Sequence, residues 1–104
     1  MNLIREESDE VEEALDELFE EVVRGFVPST RQWTDLLKEL CDLQYVLSGT
    51  VVDLGFQDVF DAAFNRVHAS NMSKLGADGV PIKNNQGKVM KGPDYQAPDL
   101  EDLI

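Results

Sequence analysis

Apolar residues return every three or four positions along the first half of the chain. Leu3, Ile4, Val11, Ala14, Leu15, Leu18 and Val22 fall on one face at about 100° per residue, which predicts an amphipathic helix from about Asn2 to Arg24. Gly25 follows, a favourable residue for a left-handed helix cap. Pro28, Ser29 and Thr30 then form a connection in which Ser29 or Thr30 can cap a second helix. That helix carries the stripe Leu36, Leu40, Leu43, Leu47 and Val51, reaches Leu54 and stops at Gly55. Gly49 inside it costs about 1 kcal/mol and leaves room for close helix contact. Trp33 continues the stripe and reads as a core residue. A third helix is predicted from about Gln57 to Leu75, ended by Gly76, with Phe56, Phe60, Ala63, Phe64 and Val67 as its apolar face. His68 points away from that face and reads as a surface residue.

Beyond Gly76 the pattern changes. Ala77 to Ile82 and Asn84 to Met90 place turn dipeptides around short apolar pieces, which predicts a small hairpin or an ordered loop. The acidic end, Ala97 to Ile104, is expected to be frayed or docked on a partner. The expected class is therefore all-α: a helical domain over residues 1–76, with 77–104 as a C-terminal loop or tail extension of the same domain. A chain of 104 residues buries only about two-thirds of its unfolded surface, so association of copies is expected to complete so thin a bundle.

Two polar positions break the apolar stripes. Glu7 falls in the middle of the first, with Glu10 at its edge, and Glu39 borders the second, with Asp42 three residues on. Core-facing carboxylates that point at one another are costly unless something cationic neutralises them. A hard divalent metal answers best, magnesium or manganese, because oxygen-only ligand sets suit such ions. With one histidine, His68, and one cysteine, Cys41, a histidine-rich zinc site is excluded. So is the ferritin-like di-iron pattern, which needs two Glu-x-x-His motifs. For Glu12, Glu13, Asp16 and Glu20 the plain reading is a solvated acidic face.

The segment Leu3-Ile4-Arg5-Glu6-Glu7-Ser8-Asp9-Glu10, followed by Lys38-Glu39-Leu40-Cys41-Asp42, resembles the E-E-x-x-E…E-x-x-D signature of the all-α nucleotide pyrophosphohydrolases. That superfamily includes MazG-like enzymes, dimeric dUTPases and phosphoribosyl-ATP pyrophosphohydrolases. Val67 to Leu75 and Gly87 to Tyr95 look like the downstream part of a MazG-like or phosphoribosyl-ATP-pyrophosphohydrolase-like branch. The resemblance implies an antiparallel helix bundle and Mg²⁺-dependent release of a nucleoside monophosphate and pyrophosphate from a triphosphate. It implies Glu7, Glu10, Glu39 and Asp42 as metal ligands, with Glu6 orienting or deprotonating the attacking water. In the family a further helix commonly precedes the Leu-Ile-x-Glu-Glu segment. Here Met1 stands six residues before Glu7, so the expectation is a branch without that helix or a start at an internal methionine.

Net charge sharpens this reading. At −12 the chain would repel a nucleic-acid backbone or an anionic membrane, and an anionic nucleotide too unless metal ions screen the acidic site. Cationic groups are sought in the third helix and the tail. Asn71 and Lys74 extend the apolar face of helix three and can hold phosphate oxygens, a use that the family's Asn-x-x-Lys pair supports over a helix-end role for Lys74. Lys88 and Lys91 can close over phosphates from the tail, and Tyr95 can stack on a base. No phosphate-cradling Gly-x-x-x-x-Gly-Lys loop is present. A lone cysteine, no leader and no membrane-length apolar run point to a cytoplasmic protein, working as a homodimer or homotetramer on a nucleotide. Two alternatives stand beside this: a non-catalytic acidic helical interaction module, and phosphoribosyl-ATP hydrolysis.

Overall fold

The computed structural model describes residues 3–104, so Asn2, the expected first helical residue, lies outside the described residues. The fold is all-α: α1 spans Leu3–Val23, α2 Thr30–Asp53 and α3 Phe60–Met72, with a minimal sheet of β1 (Ile82–Lys83) and β2 (Val89–Met90) and a terminal 3₁₀ turn at Glu101–Leu103. The chain forms two compact units, one ending at Gly55 and one beginning at Phe56. Among the described residues, no helix is long and apolar enough to cross a membrane.

In the first unit, α1 and α2 form a hairpin whose ends are closed by local bonds. At the end of α1, the Phe26 amide donates to Glu21 O (2.9 Å) and the Gly25 amide to Val22 O (3.0 Å). This pairing needs a left-handed residue, and Gly25 supplies it at φ +85°. Ser29 caps α2 reciprocally: its hydroxyl accepts from the Gln32 amide (3.2 Å), and its own amide donates to Gln32 Oε1 (2.8 Å). The seam is thin. Val11, Leu18 and Leu36 are its buried apolar side chains, while Leu40 and Leu47 of the expected core stripe remain partly exposed. Trp33, expected in the core, is 54% exposed: like Leu40 and Leu47, it stands one position beyond the covered line of Gln32, Leu36, Glu39, Leu43, Val46 and Thr50. Among the described residues, nothing outside its own helix lies within 4 Å of where a Cβ on Gly49 would stand.

The second unit departs further from its expected form. Residues 57–59 make a turn, in which the amides of Val59 and Phe60 both donate to Phe56 O, and α3 begins only at Phe60. It ends at Met72 instead of Leu75. There the Ser73 hydroxyl bonds Ser70 O (2.6 Å) while accepting from the Gln96 amide (2.9 Å), a local alternative to further helix. Phe56 and Lys74 thus lie outside the helix, and Phe64 is largely exposed, its ring centroid 6.4 Å from that of Phe60. The expected hairpin is present, pairing Ile82 with Met90 and Lys83 with Val89 in antiparallel register. Asn84 Oδ1 gathers the amides of Gln86 and Lys88 to close its turn.

The acidic tail, expected to be frayed or docked on a partner, is fastened along α3 of its own chain. Ser70, the buried polar residue of this unit, donates to Gln96 O (2.7 Å). Arg66 makes a forked pair with Asp102 (2.5 and 3.0 Å) and also donates to Asp99 O. At Gly92 the chain passes so close to α3's end that an added Cβ would lie 2.6 Å from Lys74 O and nearer still to Leu75 O. Only glycine fits there.

Candidate metal centre

Glu7 and Glu10 stand three residues apart on α1, and Glu39 and Asp42 three apart on α2, so each helix presents two carboxylates side by side. The helices run in opposite directions: Glu7 and Glu10 meet Glu39 and Asp42, while Glu13 and Glu17, further along α1, share a cleft of about 500 Å³ with Asp35 and Lys38, earlier on α2. The two pairs therefore converge. One carboxylate oxygen from each of the four lies within 4.8 Å of the others. Glu7, Glu39 and Asp42 are half-buried and Glu10 is exposed. Glu6 is exposed and lies outside this group.

The group is short of donors. Glu7 Oε2 and Glu39 Oε2 are closed off from solvent, and neither has a hydrogen-bond partner. Such an oxygen is costly until a proton or a cation satisfies it. Glu39 responds accordingly: the Glu10 carboxyl beside it, able to share a proton, holds it above the usual carboxylate range, and burial adds to the rise. Lys38 opposes that rise. Four carboxylates with no nitrogen or sulfur make a hard, wholly anionic donor set, which fits a hard divalent cation.

Lys38 is the neighbour that the sequence reading passed over. Its ammonium is 2.7 Å from Asp42 Oδ2 and 3.5 Å from Glu39 Oε1. The hydrogen bond to Asp42, with the attraction of Asp42 and Glu39, holds it well above the ordinary lysine range. The signal was present in the i, i+4 spacing of Lys38 and Asp42, which puts them one turn apart on the same face.

The other expected binding residues belong to the second unit. Asn71 is exposed in the last turn of α3, and Lys74 is half-buried in the turn that follows, its amide donating to Asn71 O. Lys91 places its ammonium 4.8 Å from the centroid of the half-buried Tyr95 ring, a cation–π contact, and Gly92 seats this stretch against the carbonyls of Lys74 and Leu75. Lys88 is exposed in the hairpin turn. His68 is on the surface, as expected.

Residues 1–71 match the family model described as phosphoribosyl-ATP pyrophosphohydrolase. The match contains all four clustered carboxylates and stops before Lys74, Lys88, Lys91 and Tyr95. A comparison with curated proteins found no match.

Proposed function

Because this chain belongs to the phosphoribosyl-ATP pyrophosphohydrolase family, and so hydrolyses an acid anhydride in nucleotide substrates, we propose that it is a Mg²⁺-dependent nucleoside triphosphate pyrophosphohydrolase serving the nucleotide pool. It opens the bond between the α and β phosphates and releases a nucleoside monophosphate and pyrophosphate. One observation carries the reading: four carboxylates from two helices converge within 4.8 Å, and two of them leave a buried oxygen unpartnered. Glu7, Glu10, Glu39 and Asp42 hold the metal. Magnesium bound there supplies an acidified water and offsets charge on the phosphates. On the second unit, Asn71 and Lys74 bind phosphate oxygens, and Lys88, Lys91 and Tyr95 add charge and a ring face. Phe19, Leu37 and Tyr45 stand exposed on α1 and α2, which supports self-association as the way this thin hairpin completes its core.

A second reading has its own support. The matching family is described by hydrolysis of phosphoribosyl-ATP, and the acidic cluster serves that α–β cleavage equally well. A panel of dNTPs, NTPs and phosphoribosyl-ATP with Mg²⁺, its products separated by chromatography, distinguishes the two. Monophosphate plus pyrophosphate from triphosphates is the expected result. Selective turnover of phosphoribosyl-ATP transfers the assignment to the second reading, and diphosphate plus orthophosphate as primary products overturns both.

A further inference from the structure

Lys38 sits where a bound cation would act. It donates to Asp42 at 2.7 Å and reaches Glu39 at 3.5 Å, and these two carboxylates belong to the group of four. Its side chain is 65% exposed, against 19% for Glu39 and 40% for Asp42, so the ammonium approaches the group from solvent on a stem free to swing away. An ammonium satisfies only part of the cluster, since the unpartnered oxygens of Glu7 and Glu39 stay without a donor. One positive charge steadies the carboxylates but does not complete them.

We propose that Lys38 is a resident counter-ion of the acidic cluster: without metal it offsets the repulsion among the carboxylates that α1 and α2 bring together, and it yields Asp42 when a divalent cation enters. The inference rests on the reading of the cluster as a metal site. Its consequence has two opposite signs. Removing the ammonium leaves four carboxylates facing one another with less compensation, so the metal-free protein is less stable. The same removal takes away a competitor for Asp42 and a like charge beside the incoming ion, so metal binds more tightly. For a unit charge about 5 Å from a divalent ion under water-like screening, suited to so exposed a side chain, the gain is on the order of tenfold in affinity. An ordinary surface ion pair predicts neither effect.

The test compares the full chain with Lys38→Met, Lys38→Arg and Arg31→Met, by calorimetric titration with Mg²⁺ and by thermal melts with and without it. Arg31 is the control, an exposed cation on the same helix paired with Asp35 at 4.0 Å, away from the cluster. Lys38→Met is expected to melt lower than wild type without metal and to bind Mg²⁺ about tenfold more tightly, while Lys38→Arg and Arg31→Met keep wild-type values. Unfolding of Lys38→Met without metal, with recovery on adding Mg²⁺, is the same result at its extreme. Unchanged Mg²⁺ affinity in Lys38→Met, equal tightening in Arg31→Met, or failure of Lys38→Met to fold even with Mg²⁺ overturns the inference while leaving the metal site standing. Absence of Mg²⁺ and Mn²⁺ binding in the wild type removes the metal site itself, and this role for Lys38 with it.

Discussion

Replacing Glu7 with glutamine keeps the side chain's length and shape and removes its charge, so the Glu7→Gln variant isolates what that charge does. Its carboxylate lies within 4.8 Å of Asp42, and both residues are half-buried. At that separation two unit charges repel by about 3.5 kcal/mol at an effective dielectric of 20, and by about 0.9 kcal/mol in water. Partial exposure of Asp42 places the relief nearer the lower value, about 1–2 kcal/mol. In a domain of this size, 1 kcal/mol moves the midpoint by roughly 4–8 °C. Without metal, Glu7→Gln is therefore expected to melt about 4–16 °C above wild type. With metal the order reverses. Mg²⁺ at a hundredfold excess over its Kd stabilises the wild type by about 2.7 kcal/mol, and a cluster lacking one of four ligands loses most of that gain. Thermal melts with EDTA or Mg²⁺, alongside a pyrophosphate-release assay, should show a raised metal-free midpoint, a collapsed metal-induced shift and no hydrolysis. A variant that melts no higher than wild type without metal, and keeps the full Mg²⁺ shift and turnover, would make Glu7 a solvated surface residue and refute the reasoning.

Three other outcomes follow from the same geometry. Leu18→Ala, at one of the three buried apolar positions described, is expected to cost about 2–3 kcal/mol in urea denaturation, at the low end for leucine because so thin a seam can collapse around the gap. Asp102, whose hydrogen bonds with Arg66 hold its carboxyl below the usual range, lends the tail stability that is complete above the ordinary value of 3.8 and lost as pH falls through the depressed one. Amide exchange over residues 97–104 should accordingly be faster in Asp102→Asn than in wild type near neutral pH, with the difference vanishing in strong acid. Tyr45→Glu puts a charge into an exposed, largely uncharged stretch of α2 formed with Cys41, Gly49 and Val52, and sedimentation should show weakened self-association with the Mg²⁺-induced stabilisation retained.

Helix identity and the acidic cluster were legible because both follow from spacing on a cylinder. Gly25, Ser29 and Gly55 mark helix ends by chemistry that acts within a few residues, and an i, i+3 carboxylate pair in an apolar stripe points where the stripe points. Periodicity gives direction but not depth. It put Trp33 inside, although the covered line of α2 runs through Gln32, Leu36, Glu39, Leu43, Val46 and Thr50, one position to the side of it, and only the neighbouring helix decides which edge of a broad stripe is covered. The limits of α3 were misread for a related reason: Ser73 leaves the helix because its hydroxyl bonds to Ser70 and Gln96, and the latter is 23 residues away. The fastening of the tail to Arg66 was equally out of reach, since nothing local to Asp102 names a partner 36 residues earlier. Lys38 was legible and overlooked, an ordinary i, i+4 pair whose importance comes from the carboxylates that α1 brings beside it.

The tail meets α3 and the turn that follows it at successive points along its own length: Gly92 against Lys74 and Leu75, Gln96 on Ser70 and Ser73, then Asp99 and Asp102 on Arg66. Under a pull directed away from α3, attachments arranged in this way are loaded one after another. A pull on the exposed end at Ile104 falls first on Arg66 alone, then on the serines, and reaches the glycine contact only after both have parted. The tail is thus a zipper, not a hinge, and its opening force at each stage is that of a single fastening.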